Sequence, residues 1–146
     1  MSYERMNPEV KKLWIEALRS GKYVQGTGAL HRKITGNMCC LGVLCDIVMQ
    51  HKPDTWKWHD FGGLELGLVS VEDARQEDSV SAYPSSSLLV HAGLSAANPV
   101  MQIKRGVLIG SDLTDPEELM NVTLSELNDG HDYTFKQIAD LVEEQL

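Results

Sequence analysis

The run Cys39-Cys40-Leu41-Gly42-Val43-Leu44-Cys45-Asp46-Ile47-Val48 restricts this chain more than any other. Cys40, Leu41, Val43, Leu44, Ile47 and Val48 fall at helical spacing and form a broad apolar face. A face of that width has to be covered by other elements, which predicts a central helix. Gly42 lies inside it. Glycine in a helix interior costs about 1 kcal/mol against alanine, so its presence predicts a close approach of a neighbour. Thr35-Gly36-Asn37, just upstream, is a turn signal.

Two more helices are legible at the ends. Asn7-Pro8 supplies an N-cap followed by proline at the first helical position. Val10, Leu13, Trp14, Ala17 and Leu18 then make one apolar stripe, and Gly21 ends it. At the other end Phe135, Ile138, Ala139 and Val142 make a second stripe that Leu146 continues. Capping-box spacing occurs at Asp115/Glu118, Thr123/Glu126 and Thr134/Gln137.

The middle alternates. Tyr23 to Ile34 reads as extended chain and, with the turn at Thr35, predicts a hairpin whose second arm ends near Cys39. Trp56 and Trp58 lie two apart, Gly62-Gly63 makes a turn, and Leu64, Leu66 and Leu68 alternate as on a second strand. Residues 72–82 are charged without a period and predict an exposed acidic loop. Pro84 opens a short helix over 85–92. Met101, Ile103, Val107 and Ile109 predict a further strand or two. The expectation is an α+β fold: one compact domain over 6–146, with 1–5 a flexible extension. Its N- and C-terminal helices pack with a central helix on a small antiparallel sheet.

Charge narrows the partners. The formal net charge is -8 over 146 residues, and no basic cluster exceeds His31-Arg32-Lys33. Nucleic-acid binders draw affinity from neutralised phosphates, so direct nucleic-acid binding is disfavoured. No apolar run approaches the roughly 20 residues of a membrane span, so no membrane partner is expected, and the first residues hold no signal-peptide core, so secretion by that route is not expected. Homo-oligomerisation is left open.

The three cysteines pose the chemical question. Cys39 and Cys40 are adjacent, and Cys40 and Cys45 stand about 140° apart around a helix axis. Neither spacing suits a disulfide or a zinc site. No metal and no cofactor is expected, and buried packing in a reducing compartment is the plain reading. The sharper reading is a nucleophile. Cys39 or Cys40 sits where chain meets a helix N-terminus, which favours a thiolate. His31 is the candidate base, and Asn128 or Asp129 the candidate orienting group. The same polar and aromatic residues serve a ligand site: Gln25, His31, Trp56, Trp58, Asn128 and Asp129. All but Gln25 have a bland alternative as well: an exposed strand histidine, half-buried strand tryptophans, and turn formers in Leu-Asn-Asp-Gly-His-Asp.

Four pieces together carry a resemblance: NPEVKKLWIEALRSGKYVQGTGAL, CCLGVLCD, AGLSAANP and LSELNDGHDYTFKQIADLVEE. They resemble a family of small uncharacterised bacteriophage and prophage proteins. Members share a W-x-x-A-L-R-S-G-x-Y-x-Q-G opening, a C-C-L-G-V-L-C-D core and an L-N-D…T-F-x-x-I-A-D ending. The resemblance implies a phage accessory protein in the host cytoplasm and supplies no reaction or ligand. Within the shared pieces Gln25, Cys39, Cys40, Asp46, Asn128 and Asp129 are the polar positions that would mark a site if they gathered. The expected function is non-catalytic binding of a host protein or small ligand, a nucleotide-derived defence signal among the ligands considered. A cysteine-dependent hydrolase or transferase is the alternative, and a nucleic-acid-associated regulator the second.

Overall fold

A computed structural model describes residues 6–27, 30–52, 55–60, 65–70, 91–94, 98–104, 119–131 and 133–146. The extension 1–5, the loop 72–82, the Gly62-Gly63 turn, the strand positions Leu64, Val107 and Ile109 and the Asp115/Glu118 box lie outside the described residues, as does the helix at 85–92 except for its helical end at His91 and Ala92.

Helix α1, Pro8–Arg19, starts as its sequence directs. Asn7 Oδ1 accepts from the backbone N–H of Glu9 at 3.0 Å and of Val10 at 3.5 Å. Gly21 follows the last turn with φ 77°, a left-handed conformation that glycine adopts without strain. The buried arc of α1 is Val10, Trp14, Ile15 and Leu18. It is rotated from the predicted stripe, because α1 packs against two helices at once: the central one and the C-terminal one. Ile15 is covered, while Leu13 and Ala17 remain half-buried.

Strand β1 is short, His31–Arg32, and its ladder partner is not the Met38 arm that a hairpin requires. It pairs instead with β3, Glu65–Ser70, His31 opposite Leu66 and Arg32 opposite Glu65. Met38 makes only isolated bridges, to Gln25 and to His31. Gly26 donates its N–H to the Met38 carbonyl at 2.7 Å, and a Cβ at Gly26 would fall 2.8 Å from the Asn37 Cβ, so the two stretches pack as closely crossing chain rather than as a flat ribbon.

Helix α2, Cys40–His51, is the centre of the fold, and every residue from Cys40 to Val48 is buried. Gly42 shows why glycine stands there. A Cβ at this position would fall 1.8 Å from the Leu30 carbonyl oxygen, inside any permissible contact. The Trp14 indole donates to the Cys40 carbonyl at 3.0 Å and fixes α1 against the start of α2.

Strands β2, Trp56–Asp60, and β3, Glu65–Ser70, pair antiparallel, giving a three-stranded sheet in the order β1-β3-β2. A second, two-stranded sheet joins β4, Val100–Lys104, to β5, Leu119–Thr123. Met101, Ile103 and Val122 face the core. Helices α3, Leu124–Asp129, and α4, Phe135–Gln145, close the chain. The Thr134/Gln137 capping box forms in full. At Thr123 the hydroxyl accepts from the Glu126 N–H and donates to the Glu126 carboxylate. Arg19 clamps α1 to α4 through Asp140 at 2.7 Å and Glu143 at 3.2 Å. The architecture is α+β: α1 and α3 pack on α2, α4 packs on α1 and α3, and the described residues form two small antiparallel sheets where one was expected.

Candidate functional site

Five of the six polar positions of the shared motifs, Gln25, Cys39, Cys40, Asn128 and Asp129, gather at the N-terminal end of α2, and Asp46 stands apart from them. Asn128 is 3% exposed and sits at the centre. Its Oδ1 accepts from Gln25 Nε2 at 2.8 Å and from the Cys40 backbone N–H at 3.3 Å. Its Nδ2 donates to the Gly26 carbonyl at 2.8 Å and to Asp129 Oδ1 at 2.7 Å. Gln25 Nε2 also donates to the Tyr133 carbonyl at 2.7 Å. Both acceptor positions and both N–H groups of the Asn128 amide are therefore taken. Such a knot ties four chain segments together and leaves that amide nothing with which to hold a ligand.

The thiols lie beside this knot and are shut in. Cys40 and Cys45 are fully buried and Cys39 is 4% exposed. Cys39 is the N-cap of α2, the position that favours a thiolate, and the N–H groups of Gly42 and Leu41 do pull its pKa down. Burial outweighs them and raises the thiol above its ordinary value, and the Asp129 carboxylate adds to the rise. Cys40 and Cys45 are raised well above the ordinary value, chiefly by burial. Cys40 Sγ meets the Leu124 carbonyl at 3.8 Å.

His31 stands with a different group. Its ring meets Trp58 edge-on at 4.7 Å between centroids. Its Nδ1 is buried and has no hydrogen-bond partner among the described residues. Burial lowers its pKa, with the Asp46 carboxylate opposing. The proposed Cys-His-Asn/Asp arrangement is thus divided: Cys40, Asn128 and Asp129 share one network, and His31 sits with Trp58 and Asp46. The Trp56 side chain lies outside the described residues.

Asp46, 8% exposed, anchors that second cluster. Tyr23 donates its hydroxyl to Oδ2 at 2.6 Å, Gln50 donates to the same oxygen at 2.8 Å, and Trp58 Nε1 donates to Oδ1 at 2.9 Å. Three donors from three segments compensate the burial of the carboxylate. Burial and the Asp46 charge push the Tyr23 hydroxyl well above its ordinary pKa of 10.0, which keeps it protonated and donating.

Tyr23 and Gln50 also face outward, into a groove of about 460 Å³ between α1 and α2. Leu13, Ala17 and Ile47 supply its apolar wall, and Glu16, Lys22 and His51 its charged and titratable positions. Leu13 and Ala17 are the two stripe residues that the rotation of α1 left half-covered. Sequence reasoning named Asp46 only as a polar position and missed Tyr23, Gln50 and the groove. An acid inside an otherwise apolar helix was the available signal, because a buried carboxylate requires donors. No group of three or more His, Cys, Asp or Glu among the described residues is arranged to hold a metal ion.

Residues 6–146 match the domain of unknown function DUF8296. The chain belongs to that family. No curated protein and no solved structure matches it. Among the described residues of this DUF8296 chain, no helix is long and apolar enough to cross a membrane.

Proposed function

We propose that this DUF8296 chain is a phage accessory protein that acts in the host cytoplasm by binding, without catalysis, and that it holds a small ligand in the α1/α2 groove. One observation carries the reading. The half-covered residues of the α1 stripe open onto a groove whose polar end, Tyr23 and Gln50, is preset by the buried Asp46 carboxylate. Preorganised polar groups beside an apolar wall are the ordinary composition of a small-molecule site. Tyr23 and Asp46 fall in two different motifs of those that carry the phage-family resemblance, and they bond to each other at 2.6 Å.

The cysteine-enzyme alternative draws less support. A nucleophile needs access and a base, whereas these thiols are buried with raised pKa values and the His31 ring packs on Trp58. A nucleotide-derived signal is also a poor partner for the groove, because one lysine and one glutamate line it where several phosphates would want several cations.

A thermal-shift screen of small metabolites against the wild type and Ala17→Trp tests the reading. Ala17 is half-buried on the groove wall, so tryptophan there fills the groove. At least one compound should raise the melting temperature of the wild type and leave the variant unmoved. A panel that stabilises both equally, or neither, would contradict it.

A further inference from the structure

The charges of the groove specify its ligand further, on the strength of the binding reading above. Glu16 and Lys22 line the same groove with opposite signs. Neither side chain makes an ion pair or hydrogen bond among the described residues. Their neighbour Arg19 is different, held by Asp140 and Glu143. Gln50 spends its Nε2 on Asp46 and Tyr23, while its Oε1 takes no hydrogen bond among the described residues. The half-buried Leu13 and Ala17 and the edge of the buried Ile47 line the same space. Besides His51, whose Nε2 is engaged by Glu9 at 3.4 Å, the groove thus offers one anion, one cation, one neutral acceptor and an apolar wall. At about 460 Å³ it lies in the lower half of the roughly 300–1,000 Å³ range of small-molecule sites.

We infer that the groove takes a zwitterion with an apolar side chain, an α-amino acid or a dipeptide. The ligand carboxylate meets Lys22, its ammonium meets Glu16 and Gln50 Oε1, and its side chain covers Leu13, Ala17 and Ile47. A purely anionic ligand would leave Glu16 facing like charge, and a purely apolar one would desolvate both charges without partners.

Amide-resolved NMR titration tests this with L-leucine, L-phenylalanine and Leu-Phe against N-acetyl-leucine, leucinamide and adenosine monophosphate. The zwitterions should shift the Leu13, Ala17, Tyr23 and Gln50 resonances saturably. N-acetyl-leucine, which lacks the cation, and leucinamide, which lacks the carboxylate, should each bind about fivefold more weakly, the upper reach of one solvent-accessible ion pair. Lys22→Met should weaken L-leucine about fivefold and leave leucinamide unchanged. Glu16→Gln should weaken L-leucine and leave N-acetyl-leucine unchanged. Both side chains are surface groups, so the variants fold. Zwitterions that bind the variants as tightly as the wild type would overturn the inference. So would nucleotide-induced shifts in the groove with the amino acids silent, a result that leaves the binding reading standing. Silence from every probe would overturn both.

Discussion

Asn128→Ala is expected to destabilise the protein far more than a surface substitution would. The side chain makes four hydrogen bonds, to Gln25, Cys40, Gly26 and Asp129. The Cys40 N–H is the most costly to orphan. It belongs to the first turn of α2, where no carbonyl of the same helix can reach it, and the residue is fully buried. A buried donor left without a partner costs about 1–3 kcal/mol, and each remaining bond contributes about 0.5–1.5 kcal/mol. Gln25 keeps the Tyr133 carbonyl, which softens one of these losses. The bonds share one amide and do not add fully, so the expected loss is about 4 kcal/mol, a large fraction of a typical domain's roughly 5–15 kcal/mol. For a chain of this length that lowers the melting temperature by about 8–16 °C. Urea unfolding followed by far-UV circular dichroism measures it directly. Asn128→Asp separates the two sides of the amide: it keeps the acceptor but loses the donors to Gly26 and Asp129, and it sets a second carboxylate beside Asp129. Its deficit should shrink as pH falls toward 4 and that carboxylate protonates. A loss below about 1 kcal/mol for Asn128→Ala would refute the claim that this knot holds the fold together.

Three further outcomes are expected. Gly42→Ala should destabilise by several kcal/mol or prevent folding, since the new methyl meets backbone at Leu30 that cannot swing aside; thermal melting checks it. Tyr23→Phe should cost about 1 kcal/mol, because Asp46 retains Gln50 and Trp58, and it should change the tryptophan emission through the shared carboxylate. The pH dependence follows from His31 and His91, whose pKa values are lowered below 6.5, in each case chiefly by burial. The unfolded chain takes up these protons first as pH falls. Stability is therefore fully present above 6.5 and declines below it, and His31→Gln should flatten the decline in a series of melts from pH 7.5 to 5.

What the sequence disclosed and what it withheld follow from range. Asn7-Pro8, Gly21 and the Thr134/Gln137 box act within a turn of themselves, so their roles were legible. Gly42 was legible as a close approach, though not that Leu30 makes it. The α1 stripe was read from spacing alone, which shows where apolar residues are but not how many helices will cover them. Two neighbours drew Ile15 inward and left Leu13 and Ala17 on a groove. The hairpin expected between Tyr23–Ile34 and an arm ending near Cys39 is reduced to a single antiparallel bridge, His31 to Met38, and the ladder of β1 is made instead with β3, more than thirty residues on. Gln25 and Asn128, 103 residues apart, were both polar positions of the shared motifs, which posed the question of their meeting without predicting it or its purpose. The purpose emerged from valence: a fully bonded amide is a structural tie. Asp46 could be suspected as an acid within apolar sequence, but its donors come from a loop, a strand and its own helix.

The distinction between holding a molecule and transforming one rests on the three sulfurs. Alkylation by iodoacetamide at pH 7, followed by intact-mass spectrometry in buffer and again in denaturant, measures their access. The account predicts no added mass on the folded protein over the time in which free cysteine reacts completely, and three adducts after unfolding. A folded protein that gains one adduct faster than free cysteine does, at Cys39 or Cys40, would contradict it.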